Sequence, residues 1–483
     1  MVSEVELKLD VDADAANAIE QSPWLGGAPR SINQRSTYFD TPDRALKAAG
    51  LSLRVREADG VWTQTIKADD DRAAGLFARP EWEREVPDGR PVLDDATPIV
   101  GLIGDKVDQV AKQFEIQVER RLWLVDWKGA SIEVAIDRGE VVAGERSARI
   151  SELELELQTG SRAALFDFAR RLHEIGPVRP GIASKAERGY RLSDAAPNAV
   201  KAQSITLTAD MTAADAFRAI VKACVRHFRL NEDLLKANRH ADALHQARVA
   251  LRRLRSAFAI FKALAVGDQS DRLREELRWL AYELGEARNL DVLLAAIDAG
   301  PMRDDVARAR EAQYDRVEAV LASARARRLL LDLVQWIDDG AWLDRKKNRE
   351  ARSIPARLFA ERALARFRRK VKKGGRDLVR VDDETRHDVR KDAKKLRYAC
   401  EFFVGLFDGE RERRRYKKFV AALETLQDQL GALNDAATIP VVLDRLGLSG
   451  AAGVDKNPPI RSDLILAAAD AYEDVVDTKR FWA

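Results

Sequence analysis

The chain has 483 residues, too many for one hydrophobic core and enough for two or three domains. Its 46% hydrophobic and 33% charged residues describe a soluble globular protein with a heavily ionic surface or interior, and no stretch reaches the length of a transmembrane helix. The net charge of +3 hides an asymmetry: residues 1–200 hold 27 Lys and Arg against 35 Asp and Glu, the remainder 55 against 44, so the first part suits cations and the second polyanions.

At the N-terminus, Glu4 and Glu6 stand where a signal peptide would be basic and then apolar, which predicts a cytoplasmic protein. The two cysteines, Cys224 and Cys400, each sit alone in a helical pattern, so neither a disulfide framework nor a cysteine metal site is expected. Up to about residue 192 the pattern is short strands between turns: Val2 to Val11, Gln34 to Phe39, Leu51 to Glu57, Val61 to Lys67, Glu81 to Val86, Glu115 to Trp127, Ser131 to Arg138 and Glu152 to Gln158. Eight strands at this spacing predict a barrel or sandwich. The clearest helix here is Ala163 to Ile175.

The polar faces of these strands sort by sign. In "SEVELKLDV" Glu4, Glu6, Lys8 and Asp10 oppose Val5, Leu7, Leu9 and Val11; "LSLRVRE" puts Arg54 and Arg56 on one face; "SELELEL" puts Glu152, Glu154 and Glu156 on one face; "IEVAID" adds Glu133 and Asp137. Three carboxylates on alternate residues of a strand repel one another unless cations or neighbouring basic strands compensate them. This predicts a closed barrel with an ionic lumen and an apolar outer face covered by helices. Carboxylates without His or Cys select hard cations such as magnesium or manganese, and Arg and Lys clusters hold phosphate oxygens. A lumen with both fits a metal-complexed polyphosphate. Glu83, Arg84, Glu85 and Arg121 are read as surface charges.

"SDAAPNAVKAQS", 193–204, has linker composition. From Ala213 the period is 3.6 almost throughout. "HQARVALRRLRSAF" at 245–258 and "HDVRKDAKKLRYAC" at 387–400 repeat one pattern, each followed by a Leu-Gly segment, "LGEARNLD" at 284–291 and "LGALNDA" at 430–436. A duplicated pair of helical bundles follows. His245, Arg248, Arg252 and Arg255 share one helix face, as do His387, Arg390, Lys394 and Arg397. No acid occurs from residue 243 to 267, so the first stripe lacks compensation on its own helix and wants a polyanion.

Residues 1–192 resemble the CYTH family, the triphosphate tunnel metalloenzymes. The likeness rests on Glu4-x-Glu6-x-Lys8, "YFDTPDRAL" at 38–46, "GLSLRVR" at 50–56, "TIK" ending at Lys67, "SELELEL", and "SKAERGY" at 184–190. It implies an eight-stranded antiparallel β tunnel with flanking helices, cleaving or cyclising triphosphates with Mg2+ or Mn2+. By this resemblance Glu4, Glu6, Glu152 and Glu154, with Asp137 and Glu156, would bind metal; Lys8, Arg54, Arg56, Lys67, Arg120 and Lys185 would hold the triphosphate. Glu4, Glu6, Lys8 and Lys67 form the implied catalytic set, and Glu81 and Glu133 match further motif positions. Residues 210–483 resemble the CHAD domain, an all-α fold that binds polyphosphate and targets proteins to polyphosphate granules. The eight stripe residues match its face, and Arg253 and Lys395 adjoin them. The expected architecture is therefore an α+β multidomain chain: a tunnel at 1–192, a linker at 193–209, and a helical domain at 210–483 with repeats at about 210–340 and 350–483. The implied activity is hydrolysis of inorganic triphosphate, with long-chain polyphosphate bound by the helices. The alternatives are a non-catalytic polyphosphate scaffold, or an enzyme acting on a nucleoside triphosphate, including adenylate cyclase. Nucleic-acid binding would call for aromatic stacking partners or groove-reading helices, and the sequence carries no clear sign of either.

Overall fold

The computed structural model describes residues 5–68, 74–77, 81–298, 300–448 and 461–482. It divides into two compact units, Met1–Asn198 with Arg327–Asp339, and Ala199–Ala326 with Gly340–Ala483. Among the described residues no helix is long and apolar enough to cross a membrane.

Among its described residues the first unit has ten strands: β1 Glu6–Val11, β2 Arg30–Asp40, β3 Leu51–Ala58, β4 Val61–Ala68, β5 Leu76–Phe77, β6 Glu81–Val86, β7 Ala111–Trp127, β8 Ala130–Ala143, β9 Arg146–Thr159 and β10 Val178–Pro180. All pairings are antiparallel, in the order β10-β1-β9-β8-β7-β2-β3-β4-β6. The count exceeds the expected eight through two short strands, β5 and β10, which both pair with β1. The sheet is a curled half-barrel: β5 pairs with β1 and β6 with β4, and no ladder among the described residues joins β6 to β1 or β10 to close the expected barrel.

The α-helices described between these strands and at their end are α1 Ala13–Glu20, α2 Ala45–Ala48, α3 Pro98–Ile103, α4 Arg162–Ile175 and α5 Lys185–Ser193. The period of two does its expected work, since Leu51, Leu53, Val55 and Ile66 point outward into a buried cluster with Leu46, Ile99 and Ile103 of α2 and α3. Burying side chains of this size contributes roughly 1.5–3 kcal/mol each. A second buried cluster joins Tyr38, Phe114, Ile116, Val141 and Ile150 of the sheet to Tyr190 of α5. Asp40 in "YFDTPDRAL" is fully buried. It accepts hydrogen bonds from the backbone amides of Thr41, Leu46 and Lys47 and, at 2.7 Å, from the Tyr190 hydroxyl. That motif therefore fixes the turn after β2 and docks α5.

The second unit is helical: α6 Ala213–Asn238, α7 Ala241–Ile260, α8 Asp268–Ala296, α9 Pro301–Ala322, α10 Ala324–Asp339, α11 Arg349–Ser353, α12 Ala356–Gly374, α13 Asp383–Phe403, α14 Glu410–Arg445 and α15 Arg461–Asp477. Residues 327–339 of α10 group with the first unit. Packing runs α6 on α7, α7 on α8 and α8 on α9, and again α12 on α13, α13 on α14 and α14 on α15. α7 packs against α13, joining the two sets. At their junction the rings of Phe217, Phe261, Phe359 and Phe403 pack in series.

Candidate functional site

Strand register explains the sorted charges. Lys8 lies opposite Glu154, Asp10 opposite Glu152, and Glu152 opposite Asp137, which pairs with Arg120 on the next strand. All of them project to the inside of the curl. There a cavity of about 170 Å³ is lined by residues of β1, β2, β3, β4, β6, β7, β9 and the start of α5, Glu6, Arg54, Arg56, Lys67, Glu81 and Lys185 among them.

One wall holds the acids. Asp137, Glu152 and Glu154 are buried, and each offers an oxygen within 4.8 Å of the others. The Lys8 ammonium lies 2.7 Å from Glu154 and 3.3 Å from Glu152. The Lys185 ammonium lies 2.7 Å from Asp137, 2.9 Å from Glu152 and 2.7 Å from Glu154. Arg120 grips Asp137 through two bonds of 2.7 and 2.6 Å and also reaches Glu154. Burial alone would raise the three carboxyls, but Lys185 and its neighbouring cations outweigh it and hold them below the usual range. Burial likewise opposes the charge on Lys8, yet Glu152 and Glu154 leave its amine above the ordinary value.

The other wall holds cations of a different kind. Arg54 and Arg56 have no carboxylate within 4 Å among the described residues, and the Arg54 Nε is buried without a hydrogen-bond partner. Burial, with Arg54 and Arg120 alongside, pulls the Arg56 guanidinium down to about 9, so it stays charged at neutral pH. Lys67, on β4, is paired with Glu81 on β6. Across the cavity the Glu6 carboxylate, 3.7 Å from Lys8, has a buried Oε1 lacking any hydrogen-bond partner. An all-carboxylate set that includes the unbonded Glu6 Oε1 fits a hard divalent cation.

The structure therefore brings together Glu6, Lys8, Arg54, Arg56, Lys67, Arg120, Asp137, Glu152, Glu154, Glu156 and Lys185. Glu4 lies outside the described residues. Glu83, read as a surface charge, is exposed, and it also edges the cavity and accepts a 3.0 Å bond from Thr65. It shares a strand face with Glu81, and that parity was the available signal. The sequence reading also missed Arg188 of "SKAERGY", which stands one helical turn beyond Lys185 and 2.8 Å from Glu152; its spacing of three from Lys185 was the signal. Gly189 of that motif is dictated by packing, since a Cβ there would stand 2.1 Å from the Phe114 ring.

In the helical unit, α7, α8 and α13 enclose a cavity of about 540 Å³. Of the eight stripe residues, Arg252, Arg255 and Lys394 line it, joined by Lys262, Arg274, Arg278, Lys391 and Lys395. Arg252, Arg255, Lys262, Arg278 and Lys394 have no carboxylate within 4 Å among the described residues, while Arg274, Lys391 and Lys395 pair with acids one turn away on their own helices. The α8 arginines were missed because acids flank them in "RLREELRW".

The two similar sequence segments make matching contacts. Arg248 passes beside Gly285 of "LGEARNLD", where a Cβ would lie 3.2 Å from its guanidinium, and Arg390 passes Gly431 of "LGALNDA", where the distance is 3.6 Å. Two positions diverge from the expected face: Arg397 turns to Glu401 and Gln427, and Arg253 is buried in an ion pair with Glu401. His245 is held down to about 4 by burial and by Arg288, Arg252 and Arg248; His387 is lowered by burial and Lys391. Burial, Arg390 and Arg252 pull the Lys394 amine down to about 7.

The family model of the CYTH domain matches residues 3–190, and that of the CHAD domain matches residues 219–444. An inorganic triphosphatase of Haemophilus influenzae is 34% identical over 201 residues, 40% of this chain and 55% of that protein, so the chain spans about half the length of this relative. An uncharacterised protein of Mycobacterium tuberculosis is 25% identical over 444 residues, 82% of each chain. Among solved structures, the CHAD domain of Ricinus communis aligns with 29% identity and a TM-score of 0.46, covering 58% of this chain and 91% of that one. The order of the two matched regions is the order of the two units, and the chain belongs to the proteins in which a CYTH domain is followed by a CHAD domain.

Proposed function

We propose that the first unit hydrolyses inorganic triphosphate to pyrophosphate and phosphate in the cytoplasm, with Mg2+ or Mn2+, and that the helical unit binds long-chain polyphosphate. The observation that carries the first part is the two-walled cavity: ionised carboxylates on one wall and carboxylate-free arginines on the other. A divalent cation held by Glu6, Glu152 and Glu154, with Asp137, would shield phosphate charge and supply an activated water. Arg54 and Arg56 bind the phosphate oxygens and spread the charge that develops on the transferred group. Lys8 and Lys185, fixed between Glu152 and Glu154, hold the chain against the acidic wall. Water attacks the terminal phosphorus, the bridging P–O bond breaks and pyrophosphate leaves, with no covalent intermediate on the protein. The triphosphatase activity of the Haemophilus influenzae relative supports this reading.

Phosphate release from tripolyphosphate, ATP and long polyphosphate, each with magnesium, manganese or EDTA, tests it. Metal-dependent release from tripolyphosphate is expected. Cyclic AMP formed from ATP would instead favour the nucleotide reading, and no turnover alongside polyphosphate binding would favour a scaffold.

For the helical unit the support is the five cations without carboxylate partners in the basic cavity. Lys394, at about 7, faces Arg390 and Arg397 of its own helix, Arg252 of α7, and Asp435 of α14. A bound polyanion favours its protonated form, so binding above pH 7 takes up protons and affinity is expected to weaken as pH rises from 7 to 9. Calorimetric titration with long polyphosphate at pH 8, in two buffers of different ionisation heat, measures this uptake. Identical heats in both buffers would rule it out.

A further inference from the structure

Helix α12 carries a feature that the cavity does not use. Arg362, Arg366, Arg369, Lys370, Lys373 and Arg376 are all exposed. From Arg362, spacings of 4, 7, 8 and 11 at 100° per residue place Arg366, Arg369, Lys370 and Lys373 within one arc, with Arg376 continuing the line past the helix end. The opposite face, Ala363, Leu364, Phe367 and Val371, is buried. No acid occurs between residues 362 and 376. Among the described residues, none of the six has a carboxylate within 4 Å, although ion pairs at i,i+3 or i,i+4 are abundant elsewhere in this unit. A solvated helix normally interleaves both signs, so six like charges repelling along about 20 Å cost stability unless an anion covers them.

The stripe continues from the basic cavity. Arg366 donates a 2.8 Å hydrogen bond to the carbonyl of Ile260 at the end of α7, two residues before the cavity-lining Lys262. On the same helix Phe359 stacks on Phe261, with centroids 4.5 Å apart. The start of the stripe is thereby fixed beside the cavity wall.

We propose that the α12 stripe is a second binding segment for long polyphosphate, a track that takes up the part of the chain beyond the cavity and makes affinity depend on chain length. This rests on the reading of the helical unit as a polyphosphate binder. Polyphosphate is favoured over RNA because the stripe carries no exposed aromatic ring on which a base could stack, Phe367 being buried.

The test titrates polyphosphates of increasing length against the full chain over a range of salt concentrations. It compares wild type, R369Q/K370Q/K373Q, and a control of equal charge change on α14, R411Q/K417Q/K418Q. The stripe variant is expected to bind long chains about tenfold or more weakly, and its log-affinity against log-salt slope to shrink by about 2, reasoning from counterion release on single strands. Affinity for chains short enough to stay within the cavity is expected to be unchanged, as is the behaviour of the control variant. An unchanged slope in the stripe variant, or an equal loss in the control, overturns the track while leaving the cavity in place. Absence of polyphosphate binding by the wild type overturns both. Tighter binding of a polyuridine RNA than of polyphosphate of equal charge assigns the stripe to nucleic acid and overturns the proposal.

Discussion

Glu154→Gln is expected to lower metal-dependent hydrolysis of tripolyphosphate by about 10²–10³-fold or more, the range seen when one preorganised electrostatic contact is removed. Its carboxylate meets Lys8, Lys185 and Arg120 together and belongs to the acidic cluster with Asp137 and Glu152. Glutamine keeps the volume and one acceptor oxygen but deletes the charge that holds three cations and would help hold a metal. The chain should still fold, because the lysines retain Glu152 and Asp137. Steady-state phosphate release, with circular dichroism to confirm folding, checks both halves. Full activity in the variant would place the catalytic acids elsewhere. A loss overcome by raising the magnesium concentration would assign Glu154 to metal affinity, whereas a loss that persists at saturation would assign it to the reacting charge.

The acids and bases of this site were legible because a strand writes its two faces into alternate residues, and a row of like charges has few physical excuses. "SELELEL" and "LSLRVRE" alone predicted an acidic wall and a basic wall, and the structure sets Glu154, clustered with Glu152, in one cavity with Arg54 and Arg56. What the pattern could not give was depth. Glu81, Glu83 and Glu85 share a parity, but burial falls along β6: Glu81 is half-buried in the cavity, Glu83 is exposed at its edge and Glu85 lies outside it. Two short strands, β5 and β10, escaped notice because two or three residues carry too little periodicity. In the helical unit the stripe on α7 was readable because it has no nearby acid, whereas Arg274 and Arg278 of α8 were masked by Glu275 and Glu276, neither of which lines the cavity. The reverse error came at Arg397, which keeps the repeat spacing while Glu401, one turn on, pulls its guanidinium aside. In the other repeat the position corresponding to Glu401 is Ala259, which leaves Arg255 free to face the cavity.

Glu152→Ala is expected to destabilise the first unit by about 3–5 kcal/mol at pH 7, the cost of breaking a buried ion pair from one side. Glu152 is completely buried and faces Lys8, Lys185 and Arg188, so its removal leaves these cations short of one carboxylate, with Glu6, Glu154, Asp137 and Asp10 still beside them. Hydrogen exchange of the β1, β8 and β9 amides reads this locally, which matters because a chain of two units need not unfold in one step. The same network sets an acid limit. Asp137, Glu152 and Glu154 have folded values below the ordinary 3.8 and 4.5, so the folded state binds fewer protons than the unfolded one. Their stabilisation is present above about pH 5 and drains away as pH falls through the unfolded and then the folded values. Protection of these strands in the wild type should therefore decline from pH 5 to pH 3, and that decline should be shallower in Glu152→Ala, which has one linked proton fewer. Adding Lys8→Met to Glu152→Ala removes one of the stranded cations, and the double variant should be less destabilised than the sum of the two single changes. Strict additivity would mean that Lys8 and Glu152 do not stabilise one another, and that the acidic wall is held by the sheet rather than by its charges.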